Sequence, residues 1–216
     1  MKMKDRIQPM PRVIQKNKEE YKEEAKKRIL DAAMEVAKKK GYQSMTLDDV
    51  AGEVGVTKGT LYLYFKNKEE LFRCVSLEMA KTFKEMMEYT LVESDDLDTI
   101  LNCIISQIIS YSREFGIENN IAMVGELISI AARDPSTQSA FIEMLERNVL
   151  IFEESLQTLK KKKLIPKTVD IHNATPGILG LLGVAKFRFF LGEDENEIKK
   201  WWIASAKKLL DVPATG

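Results

Sequence analysis

Apolar residues recur along this chain at intervals of three and four, and no stretch of useful length alternates with the period of two that a half-buried strand requires. Ala25, Ile29, Ala32, Ala33, Val36 and Ala37 set a first helix from about Glu23, and Gly41 stands where a helix C-terminus favours glycine. Leu47, Val50, Ala51 and Val54 give the stripe of a short second helix closed by Gly55, and Leu61 and Phe65 that of a short third. Asn67, with Glu70 three residues on, opens a long helix reaching about residue 91. The acidic break ESDDLD opens a further helix that Gly116 ends, IENN leads into the apolar run IAMVGELISIAAR, and Asp134-Pro135 breaks that run. Residues 136–163 form a long amphipathic helix finishing in lysines, which suit a helix C-terminus, and segments 169–191 and 194–211 follow on either side of Gly192. The pattern predicts an all-α fold of about nine helices.

Charge divides this helical chain. The formal net charge is +0, yet residues 1–82 hold 18 Lys and Arg against 13 Asp and Glu, while residues 83–216 hold 15 against 20. A basic N-terminal part joined to an acidic remainder suits a head that meets nucleic acid and a body that avoids it. Residues 1–22 are basic, carry two prolines and read as a mobile arm that contacts DNA or stays inert. The N-terminus has no apolar signal segment, and the most apolar run, 176–192, is interrupted by Lys186 and Arg188, so a cytoplasmic protein without a membrane span is expected. One histidine, His172, and two separated cysteines, Cys74 and Cys103, leave no metal-ligand spacing, triad or phosphate-binding loop. No catalytic residue, metal or cofactor is expected.

The informative stretch is TLDDVAGEVGVTKGTLYLYF, residues 46–65. Thr46 caps the second helix with Asp49 answering it, Gly55 turns the chain, and Thr57 caps the third helix; two short helices across a tight turn make a helix-turn-helix. Once the core stripe is removed, Thr57, Lys58, Gly59, Thr60, Tyr62 and Tyr64 remain on the outward face of the third helix. Hydroxyls and backbone N–H groups bind phosphate oxygens, Lys58 adds charge, Gly59 permits close approach, and Tyr62 offers a ring to sugar or to a thymine methyl. These groups suit a DNA backbone and no covalent chemistry.

The run ILDAAMEVAKKKGYQSMTLDDVAGEVGVTKGTLYLYFKNKEELF resembles the DNA-binding domain of TetR-family transcriptional regulators. The marks are the Ala-rich first helix, the Gly41-Tyr42 pair, T-L-D-D-V-A, G-V-T-K-G-T-L-Y-x-Y-F and K-x-K-E-E-L. The resemblance implies an all-helical homodimer: a head over 23–82, an effector-binding and dimerisation body over 83–216, and a small-molecule effector. It implies DNA contacts at Thr46, Leu47, Thr57, Lys58, Gly59, Thr60, Tyr62, Tyr64 and Lys68. Two heads then read adjacent major grooves of a palindromic double-stranded operator.

The body carries no such motif. Gly177, Gly180 and Gly183 lie at a spacing of three and let a second helix approach; with Phe187, Trp201 and Trp202 they predict a four-helix dimer interface. Met86, Ile108, Tyr111, Phe115, Met123, Leu127, Phe141, Met144 and Phe152 are candidates to line an apolar effector cavity. The expected mechanism is a repressor released from its operator when an effector, binding the non-DNA conformation more tightly, moves the helix that starts at Asn67. The opposite sign, in which ligand promotes DNA binding, and a non-DNA helical adaptor stand as alternatives.

Overall fold

The computed structural model describes the backbone of residues 18–213 and, except at positions 18, 115, 117, 119 and 120, their side chains. These residues form nine helices and no strand: α1 Lys18–Lys40, α2 Leu47–Val54, α3 Lys58–Tyr62, α4 Lys68–Glu93, α5 Leu97–Phe115, α6 Ile117–Ala131, α7 Pro135–Lys161, α8 Ile171–Phe190 and α9 Glu195–Leu209. The all-α reading thus agrees with the structure.

Boundaries follow capping chemistry. Thr46 accepts from the backbone N–H of Asp49 at 3.2 Å, and Asp49 accepts from the backbone N–H of Thr46 at 3.0 Å, a reciprocal pair that satisfies two orphan donors of α2. Gly55 ends α2 in the left-handed conformation at φ 78°. Asn67 accepts from the N–H of Glu70 at 2.8 Å and starts α4. Helix α1 begins at Lys18, before the expected Glu23, because Glu19 and Glu20 favour a helix start without needing burial. The expected arm lies outside the described residues up to position 17. The IENN segment, expected as a connection, belongs to α6, and Gly116 alone, at φ 80°, joins α5 to α6.

Apolar side chains gather in two clusters. The first holds Ile29, Val36, Val50, Leu61, Phe65 and Leu71 from α1 to α4. The second holds Ile100, Ile105, Phe152, Ile178, Ile198 and Trp202 from α5 and α7 to α9. Helix α4 supplies both, with Leu71, Phe72 and Val75 in the first and Ala80, Met87 and Leu91 in the second. Two members of the first cluster, Met123 and Leu127, come from α6. They stand one turn apart on the side of α6 that meets α1, so this body helix closes the core of the head. Among the described residues no helix is long and apolar enough to cross a membrane.

Candidate nucleic-acid interface

Within the head, Val50 (0%), Leu61 (0%) and Phe65 (1%) are sealed in the core and fix α2 against α3. Thr57 is extended at ψ 152° and accepts from the N–H of Thr60 at 3.2 Å, while its hydroxyl lies 2.8 Å from that of Thr60. The first turn of α3 is therefore held by side chains that also face outward. Thr46, Thr57, Lys58, Gly59 and Tyr62 are exposed, and Thr60 is half-exposed. A Cβ at Gly59 would meet only the Thr57 hydroxyl at 3.9 Å, so nothing inside the subunit requires glycine there. Lys58 Nζ sits 2.7 Å from Asp48 Oδ2 and 5.8 Å from the centre of the Tyr62 ring.

Three of the expected contact residues take other places. Leu47 is buried at 7% because it is the first apolar position of the α2 stripe, so its side chain belongs to the head core. Tyr64, beyond the end of α3, is half-buried and packs against that core. Lys68 is half-buried and donates to the carbonyls of Tyr42 and Gln43 at 3.1 and 3.0 Å, with its ammonium 4.7 Å from the Tyr42 ring centre. It fastens the start of α4 to the α1–α2 turn, and of its three donors one is left for a phosphate. Leu63, absent from the expected set, is 82% exposed directly after α3. Its signal in the sequence was an apolar residue standing off the Leu61–Phe65 stripe.

The α1–α2 turn is gripped from both sides. Opposite Lys68, Glu126 of α6 accepts from the N–H of Gln43 at 3.2 Å. Gly41 has φ +78°, and a Cβ there would lie 2.8 Å from Glu126 Oε1, so both the conformation and the close approach call for glycine. Tyr42 beside it is edge-on to Phe72 with centroids 5.0 Å apart, and burial pushes its hydroxyl up to about 12.

The expected effector residues do not share one site. Met86 and Ile108 pack on the second cluster, and Phe152, buried at 2%, stacks on Phe83 at 5.4 Å. Met123 and Leu127 close the head core instead, because periodicity marks an apolar face without saying which neighbour covers it. Phe141 and Met144 are half-buried on α7, Tyr111 is 38% exposed, and the Phe115 side chain lies outside the described residues. A groove of about 770 Å³ between α1, α4 and α7 is lined by none of them; Leu30, Leu77 and Leu150 line it together with charges of both signs, among them Lys81, Arg147, Glu78 and Glu154.

On α8 and its C-cap, Gly180, Gly183, Val184, Phe187, Phe190 and Leu191 form an exposed stripe facing away from the core. Gly180 and Gly183 have open space above them, whereas Gly177 is met by Leu209 of α9. Trp201 is half-buried beneath the Arg188 guanidinium at 4.4 Å. Trp202 departs from the expected interface: it is 0% exposed inside its own subunit, on the α9 face shared with Ile198 and Ala206.

Comparison with known proteins agrees with this geometry. Residues 29–75 match the profile of bacterial regulatory proteins, tetR family. A fatty acid metabolism regulator protein of Bacillus subtilis (strain 168) is 35% identical over 188 residues, covering 87% of this chain and 93% of that one. The structure of a Bacillus subtilis transcriptional regulator FadR in complex with stearoyl-CoA superposes with a TM-score of 0.64 at 23% identity, covering 87% of this chain and 99% of that one. A TetR transcription regulator from Haloarcula marismortui ATCC 43049 gives 0.66 at 17% identity, covering 88% and 97%. With a helix-turn-helix of matching sequence, a nine-helix fold and a relative similar along nearly its whole length, the chain belongs to the tetR family and is a DNA-binding transcriptional regulator.

Proposed function

We propose that this regulator is a homodimeric repressor, acting in the cytoplasm on a palindromic operator, and released from it by a long-chain acyl thioester. The observation that carries the effector class is the 35% identity to a fatty acid metabolism regulator over 188 residues, which extends far beyond the head into the body where an effector binds. The stearoyl-CoA complex of a similarly folded protein supports the same chemistry. The reading keeps a head and a body divided at about residue 82, supported by the passage of α4 from the first apolar cluster, through Val75, into the second, from Ala80.

In this reading Thr46, Thr57, Lys58, Gly59, Thr60, Tyr62 and Leu63 meet the DNA, with Lys68 reaching a phosphate through its remaining donor. The exposed stripe of α8 forms the dimer contact together with α9, where Gly180 and Gly183 admit the partner helix. The effector acts by binding more tightly to the conformation that does not fit DNA. Its signal reaches the head by α4, which shares both cores, and by α6, through Met123, Leu127 and Glu126.

The test is a titration of palmitoyl- or stearoyl-CoA, the free fatty acid and CoA alone against the protein bound to DNA upstream of its own gene, followed by fluorescence anisotropy. Release by the acyl thioester and by neither fragment supports the reading. Binding of DNA that no acyl thioester disturbs, or that it strengthens, would overturn the effector or the sign.

A further inference from the structure

Helix α3, KGTLY, carries a single cation, Lys58. That cation does not face the solvent alone: its ammonium lies 2.7 Å from Asp48 Oδ2, ten residues earlier on α2, and both side chains are more than half exposed. The pairing follows a pattern. Helix α2, LDDVAGEV, has three acids and no base. Each acid holds a lysine of a neighbouring helix: Asp48 holds Lys58, Asp49 holds Lys40 at 2.5 Å, and Glu53 holds Lys39 at 2.9 Å. Lys39 and Lys40 end α1, whereas Lys58 stands among the residues that meet DNA in the function proposed above, on which this inference rests, so Asp48 is the acid that an arriving phosphate meets.

We propose that Asp48 is a specificity-determining residue, an anionic guard that occupies Lys58 and repels the phosphate backbone, so that backbone contact alone does not hold the head on DNA. On any duplex, Lys58 reaches a phosphate only by leaving Asp48, which then stays unpaired beside a polyanion. The exchange gains little on a sequence that offers nothing else. On the operator, base-edge contacts from the rest of α3 offset it. The guard therefore weakens sequence-independent binding more than operator binding, which raises the ratio that decides occupancy among many competing sites.

The experiment compares wild type with D48N, D48S and D48E. Two probes are used: a mixed-sequence duplex, and a duplex selected by the wild-type protein from a random pool, each at a series of salt concentrations. Circular dichroism establishes that every variant is folded. The neutral variants should bind the mixed-sequence duplex more tightly, by on the order of 3–10-fold at ~50 mM salt, with a dependence of log K on log salt steeper by up to about 0.9 per head. Their selected-to-mixed affinity ratio should fall, D48E should resemble wild type, and K58A in the D48N background should remove most of the gain, leaving only the share that comes from the lost repulsion. Mixed-sequence affinity that is unchanged or lower in D48N and D48S, or a gain that K58A leaves undiminished, overturns the proposal.

Discussion

Glu126 of α6 accepts a hydrogen bond from the backbone N–H of Gln43, 83 residues earlier, at 3.2 Å. A body side chain thereby holds the turn from which α2 departs, and a methyl group at Gly41 would collide with it. Gly41→Ala must adopt a left-handed conformation and displace the carboxylate. It should lose about 1–2 kcal/mol of stability, read from urea unfolding. Glu126→Gln keeps an acceptor oxygen and should leave DNA affinity near wild type. Glu126→Ala should keep the fold and reduce the ligand-induced loss of DNA binding several-fold, measured as the ratio of DNA affinities with and without acyl-CoA.

The reciprocal cap of α2 sets a second expectation. Thr46→Ala removes an acceptor for the N–H of Asp49 and should cost about 1 kcal/mol. Asp49 adds a pH signature, because its hydrogen bonds to Lys40 first, then to Thr46, lower its pKa from 3.8 to about 2. A carboxylate depressed in this way stabilises the fold fully above its unfolded value and loses that contribution as pH falls through the folded one. Thermal melts of wild type and Asp49→Asn should differ at neutral pH and converge as the pH drops from about 3.8 toward about 2.

Lys58→Ala and Tyr62→Ala both change exposed side chains, so each should weaken DNA binding with little change in melting temperature. Removing one phosphate contact per head should flatten the salt dependence, but by less than about 0.9 in Lys58→Ala, because Asp48 already engages that lysine. Tyr62→Ala should lower affinity with the salt slope kept. Equal affinity of both variants and wild type for operator DNA would remove α3 from the interface.

The two residues Phe187 and Trp202 separate the proposed dimer contact from core. Phe187 is 51% exposed on the α8 stripe, and Phe187→Glu would place like charges against each other across the proposed twofold contact. It should yield a folded monomer in sedimentation, with operator binding lost. Trp202 is fully buried, so Trp202→Ala should cost about 3–5 kcal/mol of stability and expose the body to proteolysis.

Much of this was legible from residue types and spacing. Helices were readable because caps and glycines mark their ends locally: Thr46, Gly55, Thr57, Asn67 and Gly116 each act within a few residues of their own position. The exposed positions of α3, Lys58, Gly59 and Tyr62, were readable because Leu61 and, beyond the helix end, Phe65 take the core, whereas Tyr64, expected outward, packs on that core. What failed required knowing the neighbours. Met123 and Leu127 carry the periodicity of any buried face, and only the passage of α6 beside α1 assigns them to the head. Trp202 and Trp201 are adjacent letters, yet one lies in the core and the other at its edge, a difference set by the roll of α9. Lys68 read as a free cation because the carbonyls it serves lie more than twenty residues away.

Helix α4 is 26 residues long and built into two cores at once. At 1.5 Å per residue it is a rod of about 39 Å, so each degree of tilt imposed near one end carries the other about 0.7 Å sideways. A tilt of about five degrees at the C-terminal end of α4 would thus carry its N-terminal end about 3.4 Å. In the proposed dimer two such rods would act together, and the span between heads would change by up to twice that amount. Operator spacing is fixed by the pitch of the double helix, and in the proposed dimer α4 is the arm whose tilt would set the span that answers it.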